Sequence, residues 1–151
     1  MIRRATPDDA GVVAAISTTS RHEAMPTIRW AHTAEEDRWW VANILLPQDE
    51  VWVVEADGVV GFLALHHDDD GDWISQLYLR PGTWRQGVGS ALMAHAKALR
   101  PGGLRLYCFQ VNARGRAFYE RHGFAVERMG DGSDNEEQEP DILYVWAPNR
   151  Y

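Results

Sequence analysis

The chain is poor in cysteine and short of positive charge, and each shortage excludes something. Cys108 is the only cysteine in 151 residues, so no intrachain disulfide can form, and cysteine usage gives no sign of an oxidising compartment. Its neighbours Leu106, Tyr107 and Phe109 suit a half-buried structural thiol better than a nucleophile, because no local motif supports nucleophilic chemistry. Lys and Arg together number 15 against 22 Asp and Glu, a formal charge of -7. Binding through nucleic-acid phosphates needs clustered cations, so a cationic partner fits this chain and a nucleic acid does not. Long apolar runs are missing too: nothing approaches the roughly 20 residues that span a bilayer. The opening Met1-Ile2-Arg3-Arg4 is followed by Asp8, Asp9 and only a short apolar run, which is unlike a secretion signal. The expectation is a soluble cytoplasmic protein with no membrane partner.

What is present supports one core. With 45% of 151 residues hydrophobic, the chain reads as a single domain over residues 1–151. Thr6-Pro7-Asp8-Asp9 predicts a helix start, with Val12, Val13 and Ile16 on its buried face. Residues 20–32 lack a clean period and contain Pro26, which predicts a loop or broken helix. Thr33, followed by Glu35, Glu36 and Asp37, opens a second helix that ends near Pro47. Residues 51–55 and 59–65 form a hairpin around Ala56-Asp57-Gly58, and residues 73–79 follow as a third strand. Val88, Leu92, Ala96 and Leu99 recur at helical spacing up to Pro101-Gly102-Gly103. A strand at 104–110, a helix at 113–122, a strand at 124–129, an acidic loop at 131–141 and a strand at 142–146 complete the order. Such alternation predicts a mixed α/β sheet with helices packed against it.

The most informative stretch is Leu77-Tyr78-Leu79-Arg80-Pro81-Gly82-Thr83-Trp84-Arg85-Gln86-Gly87-Val88-Gly89-Ser90, a strand running through a glycine loop into a helix. Free amides and the positive end of the macrodipole at a helix start can receive a diphosphate, and glycines let the backbone come close. A dinucleotide fingerprint would want a third glycine where Leu92 stands, and the Gly-Lys-Ser/Thr of a P-loop is absent. Downstream, Asn112-Ala113-Arg114-Gly115-Arg116-Ala117-Phe118-Tyr119-Glu120-Arg121-His122-Gly123-Phe124 forms a second motif.

Together these motifs resemble the GNAT superfamily of acyl-CoA-dependent N-acetyltransferases: R/Q-x-x-G-x-G/A at the strand-to-helix junction, then N-x-x-x-x-x-F-Y-x-x-x-G-F. The resemblance covers the chain from about Val51 to Trp146, with Gly87 and Gly89 as the signature glycines and Trp84 a departure at the R/Q position. It implies a mostly antiparallel central sheet flanked by helices, with one splayed strand pair that admits CoA. It further implies acetyl-CoA as co-substrate, contacted by Leu77, Tyr78, Leu79, Arg85, Gln86, Gly87, Val88, Gly89, Ser90 and Asn112. Tyr119 would be the acid for the departing thiolate. Many relatives carry a glutamate where Gln76 stands, so the base is left among Glu23, His22 or a water chain.

The implied reaction is direct attack of a primary amine, from a small molecule or a peptide, on the acetyl thioester. Glu23, Trp30, Asn135, Glu136 and Glu137 are the candidate acceptor contacts, because the acidic loop is expected beside the acceptor entrance. His66-His67-Asp68-Asp69-Asp70 offers metal-ligand chemistry, but consecutive ligands in a short turn rarely converge on one ion, so no metal is assigned. A non-catalytic acyl-CoA sensor is the alternative that Trp84 and Gln76 keep open. A homodimer is compatible with the sequence.

Overall fold

A computed structural model describes residues 1–84 and 86–148. Seven strands form one sheet in the order β1-β2-β3-β4-β5-β7-β6. They are β1 (Ile2–Arg4), β2 (Glu50–Glu55), β3 (Val59–Asp68), β4 (Gly71–Leu79), β5 (Leu104–Phe109), β6 (Ala125–Gly130) and β7 (Asp141–Trp146). All neighbouring strands are antiparallel except β4 and β5, which run parallel. The helices are α1 (Ala10–Ala24), α2 (Ala34–Trp40), the single turn α3 (Leu46–Gln48), α4 (Val88–Leu99) and α5 (Ala113–Arg121).

Local chemistry accounts for most of these boundaries. Thr33 and Glu36 exchange side-chain and backbone hydrogen bonds at the start of α2 (2.9 and 3.1 Å), closing two amides that would otherwise lack partners. Asp57 and Gly58 both adopt positive φ (57° and 92°), the left-handed pair that turns β2 into β3. Between α2 and α3 the helix widens into a π segment, Val41–Leu45, and ends after Gln48, one residue past Pro47.

The sheet has two covered faces. Phe62 and Ala64 of β3 point to one, where they pack with Val13, Ile16, Val41 and Leu45 of the first helices. Leu63 and Leu65 point to the other, where they meet Leu92, Met93 and Ala96 of α4, with Phe118 and Tyr119 of α5 alongside. The two-residue alternation of a strand thus splits β3 between two cores.

Two elements differ from the sequence reading. Strand β1 stands where only a lead-in to the first helix is expected; three residues, two of them arginine, are too few to display an alternation. Helix α1 extends through Ala24, so the loop expected from residue 20 begins only at Met25.

Strand β1 is fixed by charge. Arg3 grips Asp9 through two bonds (2.9 and 3.0 Å) and Glu55 through two more (2.9 and 2.6 Å). Asp9 is buried, and the Arg3 guanidinium holds its carboxyl down at about 2 against burial, which pulls the other way. A carboxyl whose folded pKa lies below its unfolded value of 3.8 stabilises the fold above that value and loses the contribution as pH falls towards about 2. Asp9→Asn is therefore expected to destabilise the fold near neutral pH, by about 1 kcal/mol once screening of a pair with an exposed partner is allowed for. Urea unfolding should find the difference between variant and parent closing as the pH approaches that of the folded carboxyl.

Candidate active site

Strands β4 and β5 are joined by one register pair, Trp73 with Arg105. Beyond it they diverge, for a reason visible in β4. Ala64 pairs with Gln76 but Leu65 pairs with Ile74, which leaves Ser75 as an extra residue, and such a bulge bends its strand. The bulge is held from the side, since Ser75 donates to Asp49 at 2.7 Å.

The divergence opens a cleft of about 520 Å3. Its walls are residues 74–79 of β4 and 106–109 of β5. From the α1 side come Ser20, Ala24 and Met25; from the α4 and α5 side come Trp84, Gly89, Asn112, Arg114, Phe118 and Tyr119. Side chains from both covered faces meet in one cavity, so the cleft passes through the sheet.

Backbone groups of β4 face this gap. The Arg80 N–H bonds to Val60 O (2.8 Å), and an antiparallel ladder turns every second residue towards its neighbour strand. Tyr78 therefore also pairs with β3, and the amides and carbonyls of Leu77 and Leu79 point into the opening. Ser20 Oγ already donates to the Leu79 carbonyl. Tyr78 itself is held by its side chain in the α1-side core.

At the start of α4 the two glycines do different work. Gly87 caps the helix with φ +81°, a conformation that L side chains rarely adopt, and nothing lies where its Cβ would be. Gly89 is needed for space: a Cβ there would meet the Phe118 ring at 3.1 Å, so its absence lets α4 lie against α5. Gln86 and Gly87 are exposed on the turn, Val88 packs against the core, and Ser90 bonds His122 at 3.2 Å. Arg85 lies outside the described residues. Asn112 caps α5, its Oδ1 accepting the Gly115 N–H at 3.0 Å, and a Cβ at Gly115 would strike the amide of Asn112 at 2.5 Å.

Tyr119 lines the cleft among Phe118, Phe124 and Tyr144, with ring centroids 5.5 to 6.1 Å away. Burial raises its pKa above the ordinary tyrosine value, and Cys108 and Tyr78 add to the effect. Cys108 also lines the cleft, but burial pushes its thiol up to about 12, so it stays protonated and poorly nucleophilic.

At the other mouth Asp131, Asp134, Asn135 and Asp141 line the opening, together with Arg128. Glu136 and Glu137 of the same loop do not line it; Glu136 instead pairs with His32 (2.6 Å), raising the histidine's pKa. Glu23 is exposed and His22 stacks on Trp30 (5.9 Å), so neither side chain enters the cleft wall. Trp30 backs that wall through Phe109, 6.0 Å away. Gln76 does line the cleft, near Ser17 at 3.5 Å. His66 and His67 diverge, one bonded to Asp49 and the other to Asp72 (2.9 Å each).

A family model for the acetyltransferase (GNAT) domain matches residues 47–126, more than half of the chain. The chain belongs to the GNAT acetyltransferase family. Among curated relatives, peptidyl-lysine N-acetyltransferase YiaC of Escherichia coli is 27% identical over 124 residues, covering 78% of this chain and 81% of that one. Peptidyl-lysine N-acetyltransferase YjaB of Salmonella typhimurium is 28% identical over 135 residues, covering 88% of each. The GNAT fold is shared with the PaiA N-acetyltransferase of Thermoplasma acidophilum, solved in complex with coenzyme A. It superposes with a TM-score of 0.75 at 20% identity over 98% of both chains.

Several cleft residues of this GNAT protein escape sequence reasoning. Ser20, Ala24 and Met25 arrive through the packing of α1, and nothing local marks them. Asp131 and Asp134 belong to the acidic run singled out in the sequence, but which of its carboxylates turn inward depends on the loop's own bonds, such as Asn135 to the Glu139 carbonyl at 2.8 Å.

Proposed function

We propose that the protein transfers the acetyl group of acetyl-CoA to a primary amine in a ternary complex, and that the acceptor is the side-chain amine of a lysine in a peptide or protein. The cleft through the sheet carries this reading: it has helix-start amides at one mouth and carboxylates at the other, so an anionic donor and a cationic acceptor can meet from opposite faces. The names of the two curated relatives support lysine as the acceptor.

The residues present fit CoA. The turn into α4 offers free amides at the positive end of a twelve-residue helix. The gap-facing backbone of Leu77 and Leu79 can pair with the amides of a pantetheine arm as a strand edge would. When bound, acetyl-CoA supplies the thioester whose C–S bond breaks as the amine nitrogen bonds to the acetyl carbon.

This chain's groups manage the charges. A gap-facing amide of β4 can stabilise the carbonyl oxygen as it becomes negative. Tyr119 faces a thiol of pKa roughly 8.5 with a hydroxyl held well above that. Full proton transfer from Tyr119 is therefore uphill, and its role is to donate a hydrogen bond to the developing thiolate. The proton that a lysine ammonium must lose leaves through the acidic mouth, where Asp131 and Asp134 are exposed to water.

A thiol-release assay with acetyl-CoA tests the reading against lysine peptides, polyamines, aminoglycosides and free amino acids. Lysine peptides should give the highest kcat/KM. Acetyl-CoA at about one hundred times its Kd should add roughly 2.7 kcal/mol to stability, or roughly 5–10 °C in Tm. A raised Tm with no thiol release on any amine would replace the enzyme with an acyl-CoA sensor, and an unchanged Tm would remove the CoA site.

A further inference from the structure

The family signature expects an arginine or glutamine where this chain has Trp84, an uncharged side chain with a single N–H donor. Arg114 lies directly over the Trp84 ring, its guanidinium carbon 3.8 Å from the centroid, and both side chains line the cleft on the α4 side. We propose that Arg114 supplies the cation that the loop lacks at position 84: stacked on Trp84, it binds the diphosphate of CoA beside the start of α4. The inference rests on the CoA reading above and deepens it.

The placement follows from the sequence of α5. Asn112 caps the helix by folding over Gly115, which fixes where the first turn begins and carries Arg114 to the cleft side. The cap uses only the Asn112 side-chain oxygen, an acceptor, and Arg114 is the cation of the same turn that lines the cleft. Among the described residues, two other arginines of the region are engaged elsewhere. Arg116 donates to the Gln110 carbonyl at 3.4 Å, and Arg128 donates to the Tyr107 hydroxyl at 3.2 Å towards the acidic mouth.

Stacking suits the task. An indole face attracts a guanidinium and holds its plane, while the N–H edge remains available for paired bonds to phosphate oxygens. A lysine would keep the charge and lose both the stacking and the fork. In a chain of net charge -7 an anionic ligand depends on such local cations. Trp84 is then a positioning residue, acting through Arg114.

Calorimetry with CoA and with 3′-dephospho-CoA tests this, using Arg114→Gln, Arg114→Lys, Trp84→Leu and the Arg114→Gln/Trp84→Leu double variant. Arg114 is exposed, so its substitutions leave the fold intact. Arg114→Gln should weaken both ligands about tenfold at low salt, as expected for a charge-assisted pair, and flatten the salt dependence of binding. Arg114→Lys should recover part of the affinity. Trp84→Leu should weaken both ligands in the parent and add nothing in the Arg114→Gln background, the non-additivity of two residues acting as one.

A loss confined to CoA would assign Arg114 to the 3′-phosphate and overturn the diphosphate assignment. Equal affinities in parent and Arg114→Gln, a loss insensitive to salt, or additive losses would overturn it as well. If the unmodified protein bound neither ligand, the CoA reading itself would fall, an outcome distinct from binding that ignores Arg114.

Discussion

Tyr119→Phe is expected to lower kcat by roughly 10²-fold or more, the cost of removing a donor aimed at charge that develops in the transition state. Acetyl-CoA affinity should stay within about twofold, because the partner proposed for the hydroxyl, the thiolate sulfur, carries its charge only as the C–S bond breaks. The shifted pKa gives the experiment a second readout. Burial raises the Tyr119 pKa, so the hydroxyl remains protonated across the working range and should produce no alkaline decline of kcat below its ordinary value of about 10. Turnover in the phenylalanine variant close to that of the parent, with unchanged calorimetric binding, would reduce Tyr119 to a wall of the cleft.

Neutralising the acceptor mouth should act on KM instead. Asp131→Asn combined with Asp134→Asn removes two carboxylates that line the opening. Exposed carboxylates attract an ammonium only modestly, so removing both should raise KM for a lysine peptide about tenfold at low ionic strength. Molar salt should erase most of the difference, because screening then does what the substitutions did. Glu136→Gln with Glu137→Gln serves as the contrast. Glu136 is tied to His32 and neither glutamate lines the cleft, so KM should rise less than about threefold. Equal effects from the two double variants would mean that the loop attracts the acceptor as a diffuse charge rather than through residues at the opening.

Most of the fold was legible because its signals are local. Asp57-Gly58 announces a hairpin, the spacing of Val88, Leu92, Ala96 and Leu99 announces α4, and Thr33 with Glu36 announces the start of α2. Strand β1 was not legible, since its place at the sheet edge comes from a ladder with β2 and from Arg3 reaching Asp9 and Glu55, partners about 50 residues away for the strand and 52 for Glu55. The cofactor half of the site shows the same division. Leu77, Leu79, Gly89, Asn112 and Tyr119 come together at the cleft as their two motifs imply. The stack of Arg114 on Trp84 could not be read, because it joins residues from different motifs and begins from a departure. For the proposed acceptor side, charge singled out the 131–141 loop, but only the folded loop shows that Asp131 and Asp134 line the cleft while Glu136 and Glu137 do not. The roles of Gly87 and Gly89 were legible as a pair and separable only in three dimensions, one by its φ and the other by the ring of Phe118.

The single rung between Trp73 and Arg105 divides the chain as well as the sheet. Everything on one side of it, β1 to β4, is built from residues 2–79, and everything on the other, β5 to β7, from residues 104–146. The molecule is thus two successive halves of sequence laid edge to edge, with α4 as the strap between them and the loop at Pro101-Gly102-Gly103 as its buckle. A sheet interior is ordinarily the most rigid part of a protein, yet here its middle is where the ladder is thinnest. The seam between the halves and the cleft are the same place, so a ligand that enters there meets two strand edges whose mutual ladder ends at Trp73 and Arg105.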